Sequence, residues 1–219
     1  LRLTHWWSLH EVVEHGRASR ITDENEALVL LESQLRESIR LQLVADVPLG
    51  SFLSGGVDSS LIVALMQSEA NTPVSTYTIG FNEANYDEAV YARSVAKYLQ
   101  TNHTELYLSA ADAQEVIPLL PTLYDEPFAD SSQIPTFLVA QMAKKYVTVA
   151  LSGDAGDELF AGYRRHKGIL ISSWINCIPN FVFKVVEKII NLLPEPKNGS
   201  EKIDHIKRFI RHQSKDIAD

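Results

Sequence analysis

Two short stretches of this sequence carry residues suited to chemistry on a phosphate ester: Ser54-Gly55-Gly56-Val57-Asp58-Ser59-Ser60 and Ser152-Gly153-Asp154-Ala155-Gly156-Asp157-Glu158. In the first, adjacent glycines let the backbone turn sharply and approach a ligand closely. Ser59 and Ser60 then lead into Leu61-Ile62-Val63-Ala64-Leu65-Met66, which reads as helix. Free N–H groups and the positive end of a helix dipole would face the turn, and together they make an anion site. A bare Gly-Gly would be only a strand-to-helix connection; the hydroxyls and the acid behind it point to phosphate. No Gly-x-x-x-x-Gly-Lys-Ser/Thr run occurs, so this is not the loop of kinases and GTPases. No Lys or Arg lies between Arg40 and Arg93, so phosphate charge must be met by N–H groups, hydroxyls and a metal. Asp58 fits only with the metal. A carboxylate beside phosphate is repulsive unless a cation lies between, and Mg²⁺ takes one or two carboxylates together with phosphate oxygens.

In the second stretch Asp154, Asp157 and Glu158 crowd one turn. Acids at a helix start complement its dipole, but three carboxylates with two glycines exceed what capping needs.

The elements around these loops follow from apolar spacing. Asp23 can cap a helix, with Glu26 three residues on and Leu28, Leu31, Leu35 and Ile39 as its stripe. Residues 48–53 read as a buried strand, 74–79 as a second, 103–108 as a third and 147–151 as a fourth. Helices are expected over 87–99, from a Ser109 cap to about Leu120, and over 134–145. Strands alternating with helices predict an α/β domain with a mostly parallel, roughly five-stranded sheet. Both loops leave the carboxyl ends of strands, where open sheets bind ligands, so Asp58 and Asp157 are expected to share one Mg²⁺. Residues 1–20 show neither helical nor strand period. His5, His10 and His15 recur every five residues, which predicts a linker or surface strand rather than a metal site. Residues 168–193 read as apolar helix broken by Pro179, and 195–219 as a charged, solvated tail or helix.

Composition narrows the class. The 219 residues carry a net charge of -8 with 45% hydrophobic residues, which fits an ordinary globular protein. The acidic balance argues against general nucleic-acid binding, and no run of residues is apolar enough to span a membrane. One cysteine, Cys177, excludes an internal disulfide framework and a multi-cysteine zinc site; it reads as a small buried hydrophobe. A reducing, cytoplasmic location is expected.

PLGSFLSGGVDSS (48–60) resembles the pyrophosphate-binding loop of the ATP pyrophosphatase superfamily. YDEPFADSSQIPTFLVAQMA (124–143) and VALSGDAGDELFAGYRRH (149–166) narrow the resemblance to the synthetase domain of glutamine-dependent asparagine synthetases. The likeness runs from about Trp6 to Tyr163. It implies a twisted parallel sheet flanked by helices, the adenine-nucleotide alpha-hydrolase-like (PP-loop) fold. It also implies that aspartate is adenylated by ATP with release of pyrophosphate, and that ammonia then displaces AMP to give asparagine. By this resemblance Ser54, Gly55, Gly56, Ser59 and Ser60 hold pyrophosphate, with Asp58 and Asp157 on Mg²⁺. Leu53 and Ile79, at strand ends, match positions that contact adenine. Ser152 and Gly153 match nucleotide contacts, and Asp154 an acidic position implicated in forming the aspartyl-adenylate. An adenylating amidotransferase acting on another carboxylate, or a nucleotide-binding relic, are the alternatives.

The resemblance divides the chain into a linker (1–22), an ATP-pyrophosphatase core (23–168) and a truncated helical extension (169–219). It makes the chain a fragment whose glutaminase domain, and a lysine well downstream of the second loop, lie outside it. A homodimer is consistent with it. Ala155 and Ala161 stand where relatives often have Gly, so a positive φ at either would strain the turn. Three smaller groups carry weaker expectations. Asp125-Glu126-Pro127 with Asp130-Ser131-Ser132 border a pocket or form a polar turn with a helix cap. Arg164 and Arg165 read as a solvated helix face, with reach to a nucleotide phosphate as the alternative. His103 and His166 read as surface or packing residues.

Overall fold

The computed structural model describes residues 4–82, 87–127, 129–163, 166, 168 and 169. The chain forms two compact units, Leu1–Asp154 and Ala155–Asp219, each taken by itself.

In the first unit, α1 (Leu9–Ala18) precedes α2 (Glu24–Gln42). The α1 helix corrects the reading of residues 1–20 as without helical period and the alternative of a surface strand. Its Ser8 cap accepts from the Glu11 N–H, and Leu9, Val12 and Val13 recur at helical spacing, although none is buried. Asp23 caps α2 as expected, its Oδ1 accepting from the Glu26 N–H at 2.8 Å. Only the later part of the expected stripe packs: Ile39 is buried and Leu35 flanks it, whereas Leu28 is exposed.

Alternation of strand and helix then builds the sheet. The order is β1 (Leu49–Phe52), α3 (Val57–Glu69), β2 (Ser75–Phe81), α4 (Ala89–Leu99), β3 (Asn102–Leu108), α5 (Ala110–Val116), a 3₁₀ turn (Ile117–Leu119), α6 (Leu120–Leu123), α7 (Gln133–Ala143) and β4 (Val149–Leu151). Four strands, not five, pair among the described residues, all parallel, in the order β3-β2-β1-β4. Gly50 pairs with Ser75 on one side and Ala150 on the other.

Both sheet faces are covered. Tyr77, Ile79 and Phe81 face the α5–α7 side with Leu138, Met142 and Ala143. On the other face Leu53 and Val63 pack with Ala92 and Ala96 of α4. Full burial of a side chain such as Leu53 or Met66 stabilises by about 1.5–3 kcal/mol. The small residues Ala89, Ala92 and Ala96 let α4 lie close to the sheet. No helix among the described residues is long and apolar enough to cross a membrane.

This topology sets where a ligand can go. From β1 the chain moves to β2 and β3 on one side, and β4 returns on the other. The crevice at such a reversal, outside the carboxyl ends of the strands, is where open sheets bind. Both sequence loops begin there.

In the second unit, α8 (Gly156–Phe160) is bracketed by left-handed residues.

Candidate nucleotide-binding site

The loop after β1 is shaped from within. Gly55 sits at φ 80°, and a Cβ there would lie 2.6 Å from the Ala92 nitrogen of α4. Only glycine satisfies both the turn and that approach. Ser54 Oγ accepts from the Gly56 N–H at 3.2 Å and lies 3.0 Å from Ser59 Oγ. Ser59 Oγ accepts from the Ser54 N–H and donates to the Gly56 carbonyl. The Ser59 hydroxyl therefore braces the loop, leaving its main-chain N–H to meet a ligand. Ser60 Oγ is buried and has no hydrogen-bond partner.

The N-terminus of α3 has no side-chain cap, since Gly56 is the cap residue. The first-turn N–H groups of a helix have no intrahelical acceptor, so those of Val57, Asp58 and Ser59 are free for an anion. The loop after β4 comes directly over them. A Cβ on Gly153 would lie 2.6 Å from the Ser59 nitrogen and 2.9 Å from the Asp58 carbonyl carbon. Gly153 thus leaves no room for a side chain, and the loop after β4 packs main chain against main chain beside the uncapped donors of α3. With the orphaned Ser60 hydroxyl, those donors make the residues present fit a nucleotide.

A divalent ion also fits the donor chemistry. The half-buried Asp58 carboxylate has no hydrogen-bond or ion-pair partner among the described residues. No group of three or more His, Cys, Asp or Glu converges among them either. An ion beside Asp58 would thus take most of its ligands from phosphate oxygens and water, as Mg²⁺ does. Asp154 differs: it accepts from Ser152 Oγ at 2.9 Å.

The remaining expected residues fall in varied places. The Leu53 side chain is 1% exposed within the core, so only its main chain could meet a ligand. Ile79 is not at a strand end. It lies two residues inside β2 and packs toward Leu108, Val116 and Leu138, because pairing with β3 continues to Phe81 and Leu108. Asp157 belongs to the second unit, where its carbonyl accepts from the Gly162 N–H at 3.0 Å.

Both alanines flagged in the sequence are left-handed, Ala155 at φ 70° and Ala161 at φ 58°. Asp130 is a turn residue: its carboxylate accepts from the Ser132 N–H at 2.9 Å, and the Ser132 hydrogen bonds hold its pKa below the usual range. His103 packs against Thr76, and His166 lies edge-on to Tyr163 at 5.7 Å. Arg164, Arg165, Cys177 and the expected apolar helix and charged tail from residue 170 onward lie outside the described residues.

Sequence reasoning missed two features. One is the bond from Tyr163 Oη to Glu158 Oε1, for which the pairing of an acid with a tyrosine five residues on was the available signal. The other is a cluster beside the edge strand, where Arg93 binds Glu105 and Tyr107. Its signal was His103, Glu105 and Tyr107 sharing one face of β3.

Comparison with known proteins places these features in a family. The asparagine synthase family model matches residues 30–214. A Methanocaldococcus jannaschii protein provisionally named glutamine-hydrolysing asparagine synthetase 2 is 36% identical over 190 residues, covering 86% of this chain and 36% of that protein. Glutamine-hydrolysing asparagine synthetase 1 of Bacillus subtilis is 32% identical over 183 residues, covering 84% and 29% respectively. The chain thus spans about a third of the length of these curated relatives. Among solved structures, the ammonia-dependent NAD synthetase of Campylobacter jejuni aligns over 85% of this chain and 93% of its own, with 12% identity and a TM-score of 0.44.

Proposed function

The chain belongs to the asparagine synthase family, and from that premise we propose that it uses ATP to convert aspartate to asparagine. In the proposed reaction an oxygen of the aspartate β-carboxylate attacks the α-phosphorus of ATP. The bond between that phosphorus and the bridging oxygen to Pβ breaks, and pyrophosphate leaves with the bonding pair. Ammonia then attacks the acyl carbon, AMP departs, and the ammonium proton is lost to solvent. In the longer protein ammonia would come from glutamine through a glutaminase domain.

The observation that carries this reading is the approach of Gly153 to the uncapped N-terminus of α3 at the β1/β4 crevice. The N–H groups of Val57, Asp58 and Ser59 would hold the pyrophosphate as negative charge gathers on it, with no reorganisation needed at the moment of reaction. Holding both ends of the reacting bond in place supplies much of the remaining acceleration. Asp154, oriented by Ser152, is proposed to act near the acyl-phosphate junction. Asp58 and Asp157 are proposed to hold Mg²⁺, which would offset phosphate charge where no Lys or Arg is near in sequence. The pairing of Asp157 with Asp58 rests on the sequence alone.

Two measurements test the proposal. Calorimetry should show ATP binding that depends on Mg²⁺ and is lost in EDTA; equal affinity in both conditions refutes the bridging role of the metal. Pyrophosphate release with ATP, ammonium and a panel of carboxylic acids should then select aspartate. Preference for another acid would refute the assigned substrate while leaving the adenylation chemistry standing.

A further inference from the structure

We infer that Glu158 and Tyr163 are positioning residues for the Asp157 carboxylate, closing the turn on which it rests. The inference depends on the metal role proposed for Asp157 and says what would keep that side chain in place.

The α8 turn is closed by main-chain bonds that carry strain. Ala155 at φ 70° and Ala161 at φ 58° bracket its five residues, and left-handed backbone is unfavourable for any residue with a Cβ. The Asp157 carbonyl accepts the N–H groups of both Ala161 and Gly162. Tyr163 Oη donates to Glu158 Oε1 at 2.5 Å, a length typical of a hydroxyl on a carboxylate. That bond joins the residue after Asp157 to the residue after Gly162, so it closes the turn around the same pair. At Gly162 there is no room for a side chain, because a Cβ would collide with Asp157 Oδ1. The carboxylate lies against bare main chain, and its direction follows the path of residues 161–163. Without the tyrosine bond, Ala161 can relax from its left-handed conformation, and Asp157 loses the wall it rests on.

The test is equilibrium ATP binding to the full chain at increasing free Mg²⁺, for wild type, Tyr163→Phe, Glu158→Gln, Asp157→Asn and Tyr163→Phe with Asp157→Asn. Thermal melts accompany each variant. Tyr163→Phe should raise the half-maximal Mg²⁺ about fivefold, the order expected for losing one exposed charge-assisted hydrogen bond that acts through a neighbour. Glu158→Gln keeps a neutral acceptor and should raise it about twofold. In the Asp157→Asn background, Tyr163→Phe should have no further effect, since the group it positions has lost its charge. No change in Tyr163→Phe, or the same fivefold change without the Asp157 charge, overturns the inference. Asp157→Asn binding ATP with wild-type Mg²⁺ dependence overturns instead the metal role beneath it. If Tyr163→Phe does not melt cooperatively, Glu158→Gln decides the matter by the same comparison.

Discussion

Replacing Gly153 with alanine puts one methyl group between the two loops, and the geometry sets how hard it presses. The Cβ would lie 2.6 Å from the Ser59 nitrogen, 2.9 Å from the Asp58 carbonyl carbon and 3.0 Å from Ser59 Cα. All three are main-chain atoms, so no side chain can swing aside. Ordinary contact begins at 3.4 Å, so the loop after β4 and the first turn of α3 must part by about 0.8 Å. Gly55 is the positive-φ glycine among the described residues, so alanine at 153 meets no backbone penalty and the effect is steric. Overpacking of this kind costs about 1–3 kcal/mol, and each kcal/mol lowers Tm by about 2–4 °C in a chain of this size. The ligand should feel it more than the fold does, because parting the two loops by that much shifts the first turn of α3 and with it the Ser59 N–H. One charge-assisted hydrogen bond to phosphate is worth about 1.5–3 kcal/mol, or about 10- to 150-fold in Kd. Calorimetry should therefore show at least a roughly tenfold weaker Mg·ATP complex. Gly16→Ala, with nothing within 4 Å of the new methyl, is the control and should bind normally. A Gly153→Ala protein that melts lower yet binds Mg·ATP like wild type would show that the close approach at Gly153 serves packing only.

Further outcomes follow from other residues. Asp58→Asn and Asp157→Asn should each weaken Mg·ATP binding, and together by less than the sum if both serve one ion; strict additivity in calorimetry would separate them. Ala155→Gly and Ala161→Gly should each hold or raise Tm, because relief of the left-handed strain offsets the entropy glycine adds to the unfolded chain. Ala64→Gly in the middle of α3 should cost about 1 kcal/mol, and equal losses at all three sites would count against strain. His103, buried against Thr76, has a folded-state pKa lowered from 6.5 by desolvation, and the hydrogen bond from Arg93 lowers that of Glu105 from 4.5. Both groups contribute stability that is present above their unfolded values and lost as pH falls through the folded ones. Tm should thus decline from about pH 6.5 downward in two stages. His103→Gln should flatten the upper stage and leave the lower; an unchanged profile would remove His103 from the account.

The central elements were legible because their constraints act on residue type. A parallel strand buried on both faces must be apolar along its length, and a turn into a helix needs small or capping residues, so β1, β4 and the two loops stand out. The α1 helix was missed for a different reason. The helical signal, Ser8-x-x-Glu11 with Leu9, Val12 and Val13, is overlaid by polar histidines whose five-residue spacing fits no regular element. The misplaced end of β2 reflects a limit of another kind: where a strand stops depends on its partner, and β3 keeps pairing with it through Leu108.

The site shows the same division between what residue type dictates and what tertiary geometry decides. Both loops must turn through left-handed backbone, and they meet the demand in different ways. The first uses Gly55, which also yields to α4 at a distance no side chain could tolerate. The second uses Ala155 and Ala161, and leaves the turn to be held by the Asp157 carbonyl and by Tyr163 on Glu158. Glycine makes the first loop's shape a property of its own sequence. Alanine makes the second loop's shape conditional on the bonds that close it. Hydroxyl roles were the least legible, because a serine's type does not say which way it points. Ser59 turns its Oγ back into the loop, leaving its N–H for a ligand. The proposed anion binding at α3 is thereby a task for main-chain N–H groups rather than for hydroxyls. It is why the methyl of Gly153→Ala, placed against that main chain, is a sharper probe of the site than deletion of any of its hydroxyls.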